Sequence, residues 1–249
     1  MNYLKKIFCF LLVVTFVQSV FGQIAIVNDK DGYVNVRKSP EVKENNIADT
    51  LHNGSFVYVF DEMKKGNWAN IDYHQQRCED FCNGYIYQNR IKYISDYQSI
   101  PQILNDTDKM IFSKKNIIIK IKIREFDKSK HKITYETIDK WHFVDKIDGK
   151  KIWGTDGEMP KYEYEYISIS VNGKKIFLPK EATENLYNPN INYFNQYSKE
   201  NVILVSSYYD VDNDILYIKS SNSDGAGGYD VVWKIEKGKY KERAVFYGF

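Results

Sequence analysis

A strict alternation of apolar and charged residues constrains this chain more than any other feature. Every second residue from Ile117 to Ile123 is isoleucine, and cations lie between these residues or directly after them. The cations are Lys120, Lys122 and Arg124. A period of two places successive side chains on opposite faces of a strand, so the isoleucines are predicted to be buried. We interpret the cations as the solvated side of that strand rather than as a binding stripe.

Residues 24–95 repeat this alternation in short runs that are separated by turn residues. The predicted strands are Tyr33–Arg37, Ser55–Phe60, Trp68–Tyr73 and Gly84–Tyr87. Within the first of them Val34 and Val36 point to one side, and the three residues around them point to the other. Gln88–Tyr93 is predicted to form a 3-10 turn followed by a last strand. The sequence therefore predicts a mainly β protein with little helix.

Hairpin signals extend this prediction to the C-terminal part of the chain. Asn172-Gly173 is the preferred two-residue type I′ loop, and it fixes the register of the strands around it. The predicted pairs are Val171 with Lys174, Ile169 with Ile176, and Ile167 with Leu178. Two more hairpins are predicted, from Asn201–Tyr209 with Ile215–Ser220 and from Tyr229–Glu236 with Lys239–Phe246. Pro179–Leu186 is predicted to form one or two helical turns.

Residues 96–109 interrupt the alternation and contain Pro101, which predicts a linker or a short helix. The predicted organisation is a first domain over residues 23–95, this linker, and a β-rich antiparallel domain over residues 110–249. Asp210–Asp214 imitates the start of a calcium loop, but Ile215 stands where such a loop needs glycine. We predict a hairpin turn stabilised by Asx side chains there. No metal site and no cofactor is predicted.

The first domain resembles the bacterial SH3 (SH3b) family, and the resemblance is limited to residues 24–95. Gly32–Pro40 (GYVNVRKSP) is similar to the family's "LNVRSGPS" signature. Leu51–Gly54, Gly66–Trp68 and Gly84–Ile86 follow in the order and spacing of its later motifs. The resemblance implies a small, strongly bent SH3-like barrel. This chain departs from the family pattern at Lys38 and in the cysteine-containing loop after Tyr73, and both lie in loops beside the expected groove.

SH3b modules occur in exported proteins and bind peptidoglycan peptides or other peptide-like ligands. By that resemblance the ligand-binding residues are Tyr33, Asn35, Arg37, Trp68, Tyr85 and Tyr87. Their aromatic rings can stack on a peptide or sugar, and Arg37 can pair with a carboxylate. A structural role is the alternative for each residue. Arg37 can instead hydrogen-bond the turn that follows it, and Trp68 can cap the barrel core.

The N-terminus has the layout of a secretory signal peptide over residues 1–22. Lys5 and Lys6 precede the apolar run Ile7–Val17, and small or polar residues lead to Gln23. The run is too short to span a bilayer comfortably, and no later segment is long enough, so no membrane insertion is predicted after cleavage. We expect an exported protein, periplasmic or extracellular.

Two cysteines follow the predicted cleavage site, Cys78 and Cys82. An even pair in an exported protein indicates a disulfide, and three intervening residues can close such a loop. A reduced pair or a metal-bound pair is the alternative, although only His74 is close enough to serve as a further ligand.

Composition narrows the classes of function. The chain has 35 basic and 33 acidic residues, and removing Lys5 and Lys6 leaves 33 of each. This neutrality argues against a nucleic-acid-binding protein. The 21 tyrosines exceed the 14 glycines and 5 prolines together, which favours well-formed strands over flexible linkers.

No arrangement typical of an enzyme is apparent. The cysteine peptidases associated with SH3b domains need an unpaired cysteine beside a histidine, and the four histidines fall in no zinc-ligand spacing. A glycosidase built on two carboxylates stays open. We predict a non-catalytic binding protein with a peptidoglycan peptide or an envelope protein as ligand. The alternative is an envelope inhibitor or immunity-type protein, with C-terminal loops such as that around Trp141 as its contact surface.

Overall fold

The computed structural model describes residues 23–191, 193–195, 199–202, 204–223 and 225–247, and the predicted signal peptide lies outside these ranges. Within them the chain forms 22 strands and six 3-10 helices and no α-helix, which confirms a mainly β fold. The strands are β1 (Gln23–Val27), β2 (Tyr33–Arg37), β3 (Ile47–His52), β4 (Phe56–Lys65), β5 (Trp68–Tyr73), β6 (Cys82–Tyr87), β7 (Ile91–Tyr93), β8 (Gln98–Ser99), β9 (Gln102–Asn105), β10 (Lys109–Lys114), β11 (Ile117–Glu125), β12 (Ile133–Ile138), β13 (Trp141–Ile147), β14 (Lys150–Lys151), β15 (Tyr162–Val171), β16 (Lys174–Phe177), β17 (Tyr193–Asn195), β18 (Glu200–Val202), β19 (Val205–Asp210), β20 (Ile215–Asn222), β21 (Tyr229–Glu236) and β22 (Lys239–Tyr247). The 3-10 helices are Glu44–Asn46, Gln88–Arg90, Ile94–Asp96, Lys128–Lys130, Lys180–Ala182 and Gly225–Gly227.

The first sheet is antiparallel, with the strand order β3-β2-β6-β5-β4-β1-β7. It encloses its own core, because alternate residues of all seven strands pack into one apolar cluster that includes Val36, Val59 and Ile86. Val34 and Val36 are buried while Tyr33 is exposed, as the alternation predicts. Asp29 is buried beside this core and pairs with Arg90, and the Asn53 side chain binds the Asp29 backbone.

Two further sheets of five strands face each other in the second half of the chain. We call β22-β21-β20-β19-β8 the middle sheet and β16-β15-β11-β10-β9 the outer sheet. Their shared core contains alternate isoleucines of β11 together with Trp233, which is fully buried. The Trp233 indole N–H donates to the Ala182 carbonyl at 2.6 Å, and this bond ties the 3-10 turn after Pro179 to the middle sheet.

The middle sheet is covered on both faces. Val231, Trp233 and Ile235 point towards the outer sheet, whereas Val232 lies in a second apolar cluster with residues of the first sheet. That second cluster includes Ile24, Ile26, Phe56, Tyr58, Tyr217 and Phe246. Burial on both faces explains why consecutive residues of β21, from Tyr229 to Trp233, are buried. The three largest sheets are therefore stacked, with the middle sheet between the other two. The described residues also form two small sheets, β12-β13-β14 and β17-β18.

Residues 96–109, which are predicted to be a linker or a short helix, contain two strands. β8 pairs with β19 in the middle sheet, and β9 pairs with β10 in the outer sheet. The helical part is limited to the 3-10 turn Ile94–Asp96. The segment therefore supplies a strand to each of the two sheets that it connects.

The hairpin at Asn172-Gly173 has the predicted register. Val171 faces Lys174 and Ile169 faces Ile176, and Asn172 adopts the left-handed φ of 51° that a type I′ loop requires. The hairpin of β21 with β22 also has its predicted strands. The strand predicted over Asn201–Tyr209 is instead divided into β18 and β19, which pair with different strands. Asp210 accepts hydrogen bonds from Asn213 in the next turn, as an Asx-stabilised hairpin predicts.

Candidate functional site

The outer face of the first sheet is divided into a covered half and an open half. Strands β1 and β4 pack their outward side chains against the middle sheet. The outward side chains of β2 and β6 are not covered by the middle sheet: Tyr33 is exposed, and Asn35, Arg37, Tyr85 and Tyr87 are partly buried. We call this second region the open face, and its residues are Tyr33, Asn35, Arg37, Tyr85 and Tyr87. These are five of the six residues predicted to bind a ligand.

Strand pairing brings the residues of the open face together. Arg37 lies opposite Tyr85 where β2 and β6 pair, and Asn35 and Tyr87 occupy the neighbouring positions. Tyr33 is 46% exposed. Asn35 accepts a hydrogen bond from the Thr50 hydroxyl at 3.1 Å, which fixes its amide beside β3. The result is a surface of three tyrosines around one amide and one guanidinium.

Arg37 also hydrogen-bonds the loop that follows β2, which is the structural role predicted as the alternative to ligand binding. One of its terminal nitrogens, Nη1, donates to the Lys43 carbonyl at 2.8 Å, in the loop that follows β2. This bond holds the guanidinium against the loop. A planar guanidinium has five N–H donors, so one bond of this kind leaves further donors that can meet a carboxylate.

Trp68 does not belong to the exposed surface. It is 8% exposed, and its ring centroid lies 4.3 Å from that of Tyr87, its cross-strand partner. The ring therefore lies on the outer side of the sheet rather than in the barrel core. Trp68 packs beside Tyr87 on the same face of the sheet and supports its ring.

The cysteine loop follows one end of β5 and contacts β3 through Arg77, which pairs with Asp49 at 3.2 Å. Cys78 and Cys82 form a disulfide with their Cα atoms 5.6 Å apart. Tyr73 pairs with Cys82 at one end of β5 and β6, whereas Trp68 pairs with Tyr87 at the other. The loop therefore lies at the opposite end of β5 and β6 from the Trp68–Tyr87 pair, at the same end as Asp49, which is the β3 partner of Val36.

Phe81 shows what this loop contacts. Its ring stacks on Phe246 at 5.6 Å and meets Tyr247 edge-on at 5.4 Å, both in β22 of the middle sheet. Trp153 is partly buried, and its ring centroid lies 6.4 Å from that of Phe81. Nearby, His74 Nε2 lies 2.8 Å from the Val245 carbonyl oxygen. The disulfide-closed loop thus fastens the first sheet to the second half of the chain.

A cavity of about 550 Å³ lies at the base of the β12–β13 hairpin. His131 occupies it between two carboxylates, with Nδ1 2.9 Å from Asp148 Oδ2. Its Nε2 lies 3.3 Å from Glu163 Oε2 without the alignment of a hydrogen bond. The Lys132 backbone N–H and the His131 ring lower the pKa of Asp148. Arg124 pairs with Glu163 at 2.8 Å within the outer sheet, and the contact of His131 with Glu163 joins the hairpin to that sheet.

Comparison with known proteins gives no relative: no family model, curated protein or solved structure matches the chain. The SH3b resemblance therefore stays a prediction. Within the described ranges no helix is long and apolar enough to cross a membrane. In the same part of the chain, His, Cys, Asp and Glu side chains form no group of three that could hold a metal ion.

Proposed function

We propose that this chain is an exported, non-catalytic binding protein whose SH3b-like first sheet recognises a cell-wall peptide or protein ligand through the open face. The observation that carries the proposal is the division of the outer face. One half is covered by the middle sheet, while the half with Tyr33, Tyr85 and Tyr87 has no contact with that cluster and is exposed or partly buried. The Cys78–Cys82 disulfide supports export, because such bonds persist in oxidising compartments.

The chemistry of the open face fits a peptide or a peptide-linked sugar. Tyrosine rings supply flat apolar area at low cost in side-chain entropy, and each hydroxyl can hydrogen-bond. Arg37 would pair with a ligand carboxylate while its bond to the Lys43 carbonyl holds it in place. The Thr50 hydroxyl holds the Asn35 side chain in place, and the Asn35 amide would hydrogen-bond an amide group of the ligand.

Replacing Tyr33 and Tyr85 together by alanine is expected to reduce retention on purified cell-wall sacculi by about tenfold or more, because aromatic anchors carry most of the energy of such contacts. The measurement is the bound fraction in a pull-down at increasing protein concentration. The matched control is Tyr135→Ala with Tyr162→Ala, two tyrosines that are 58% and 44% exposed outside the open face. The proposal fails if the unaltered protein is not retained, or if both double variants lose retention equally.

A second function, inhibition of a partner enzyme in the envelope, is favoured by the β12–β13 hairpin. Ile138 and Trp141 form a cross-strand pair at its tip, and they are 54% and 72% exposed. Tyr135 is 58% exposed further down the same hairpin. Large apolar side chains grouped on a projecting hairpin are typical of a protein contact.

Changing Ile138 and Trp141 to serine is expected to abolish recovery of a partner protein in affinity purification from an envelope extract, with sacculus binding unchanged. The control changes Ile103 and Val211 to serine, since these residues are 63% and 59% exposed and lie outside the hairpin. Recovery of the same protein by the tip variant would contradict this second function.

A further inference from the structure

Strand β12 has one edge that no other strand of the described residues covers. It pairs with β13 on one side only, because the small sheet has the order β12-β13-β14. The four residues from Tyr135 to Ile138 are exposed. An edge of this kind presents unpaired backbone N–H and C=O groups, which another strand can bind. β12 is therefore a place where a further strand can extend the sheet.

The backbone of Lys132, just before β12, shows which residues present these groups. Its carbonyl accepts a hydrogen bond from the Asp148 N–H at 2.8 Å, and its N–H donates to Asp148 Oδ1 at 2.9 Å. Both groups of Lys132 therefore point towards β13. Backbone groups alternate in direction along a strand, so those of Ile133 and Tyr135 point to the open edge and those of Thr134 to β13.

The side chains at this edge carry two opposite charges on one face. Lys132 and Glu136 are four residues apart, so both point away from the face of Ile133, which packs with Val144 and Ile147. Both charged side chains are exposed. Neither is paired with an opposite charge in the part of the chain that the structure describes. The edge therefore has one unpaired cation and one unpaired anion, separated by two residue pairs.

A second copy of the same strand matches this edge. We consider a two-fold axis that passes between the two copies of Thr134, with the strands antiparallel. Lys132 then lies opposite Glu136 of the second copy, and Ile133 lies opposite Tyr135. Each pairing occurs twice because of the symmetry. Opposite charges and β-branched–aromatic pairs are both favourable across strands. Ile133 and Tyr135 are also the residues whose backbone groups are free to form the new hydrogen bonds.

Other registers lack this match. The axis relates equal faces of the two strands, so it can move only in steps of one residue, and each step shifts the pairing by two. With the axis at Tyr135, Lys132 lies opposite Ile138 and Glu136 opposite Thr134. With the axis at Glu136, two carboxylates face each other. The charges of the strand therefore select the axis at Thr134.

We propose that the protein forms a two-fold symmetric dimer in which two β12 strands pair antiparallel, independently of any ligand of the open face. The two three-stranded sheets then join into one continuous sheet. Ile138 and Trp141 at the hairpin tip lie outside the paired segment, residues 132–136. An interface made mainly by one pair of strands is small, so the dimer is weak and depends on protein concentration.

The first test measures dimerisation by sedimentation velocity over a range of protein concentrations at low salt, where charge pairs are least screened. The variants are Lys132→Glu, Glu136→Lys and the two changes together. Each single variant is expected to weaken the dimer at least about tenfold, because attraction becomes repulsion at two symmetric positions. The double variant restores opposite charges and is expected to return to within about threefold of the unaltered protein.

The matched controls for charge reversal are Lys237→Glu and Glu44→Lys, two exposed residues outside β12. Both are expected to dimerise like the unaltered protein, and the melting temperature of each variant checks that it folds. A protein that is monomeric up to about 1 mM has no such dimer. A dimer that persists in both single variants, or that the double variant does not restore, forms through another surface. Each of these results overturns the proposal.

The second test uses the position of Thr134 beside the axis. Its backbone groups point to β13, so the two copies form a non-hydrogen-bonded pair with Cα atoms about 4.5 Å apart, within reach of a disulfide. Thr134→Cys is therefore expected to cross-link two copies under mild oxidation, as seen by electrophoresis without reducing agent. Thr137→Cys is the control, because its two copies would be about 20 Å apart along the strands. Equal cross-linking of both variants, or none of Thr134→Cys, contradicts the proposed axis.

Discussion

The protein with Phe246 replaced by alanine is expected to lose about 3–5 kcal/mol of its free energy of unfolding, the usual cost of emptying a buried phenylalanine site. Phe246 is 1% exposed and lies in the cluster between the first sheet and the middle sheet. Its ring is stacked on Tyr58 at 5.4 Å and on Phe81 at 5.6 Å. Because both neighbours belong to the first sheet, the truncation weakens the contact between the two halves of the chain.

The cavity left by this truncation should relax only partly. Tyr58 is held by β4 in the middle of the first sheet, and Phe81 is held by the disulfide-closed loop, so neither ring can move far into the gap. Urea denaturation followed by tryptophan fluorescence and by circular dichroism measures the loss.

Phe177→Ala is the matched control for this experiment. Phe177 is 58% exposed, so its truncation should change the free energy of unfolding by no more than about 0.5 kcal/mol. A loss below 1 kcal/mol for Phe246→Ala would mean that the two halves hardly depend on this cluster for stability.

The elements that sequence predicted correctly are those that local patterns determine. β5, β21 and the Asn172-Gly173 hairpin have the bounds or register expected from period-two alternation and turn chemistry. In these elements turn geometry and burial agree, and a slip of one residue would expose the whole apolar set. The sequence also predicted which side chains of β2 face outward, which is the basis of the open face.

Elements that depend on distant partners could not be predicted in this way. β8 has two residues and β9 has four, too few for a periodic signal, and their strand partners lie elsewhere in the chain. β4 extends to Lys65, although the polar sequence at its end is typical of a turn. The depth of Trp68 is set by Tyr87 on the neighbouring strand, and the contacts of Phe81 by β22. Each of these facts is a property of the assembled sheets rather than of a window of sequence.

The lysines of β11 show the same limit of sequence-based prediction. Read along β11, the alternating lysines indicate a solvated strand face. Their surroundings become visible only in the assembled sheet, where Lys122 pairs with Glu165 of the neighbouring strand β15 at 2.9 Å. Net charge summed over a domain does not reveal such a pair.

Replacing Lys219 by methionine is expected to destabilise the protein by about 3–5 kcal/mol, because it leaves a buried carboxylate without its counter-charge. Lys219 Nζ lies 3.2 Å from Asp230 Oδ2, and Asp230 has only 2% of its side chain exposed. The contact is an ion pair without hydrogen-bond alignment. Both residues are on the middle-sheet face that meets the first sheet, because Lys219 lies two residues after Tyr217 and Asp230 lies two residues before Val232 of that interface.

A second substitution separates the loss of the pair from the loss of packing. In the double variant Lys219→Met with Asp230→Val no charge stays buried, and apolar replacement of a buried ion pair is often neutral or stabilising. We therefore expect the double variant to be within about 2 kcal/mol of the unaltered protein. Lys241→Met is the control for an exposed pair, since Lys241 lies 3.9 Å from Glu236 at the surface, and it should cost less than about 1 kcal/mol.

The two substitutions at this pair distinguish what holds the halves of the chain together. Asp230 is the cross-strand neighbour of Phe246, so a buried ion pair and an aromatic cluster lie side by side in one interface. If the apolar cluster alone provides the stability, the double variant keeps it and only the single variant is damaged. If the pair is instead required for docking, the double variant loses as much as the single one, and limited proteolysis should then cleave between residues 94 and 98, where the chain leaves the first sheet.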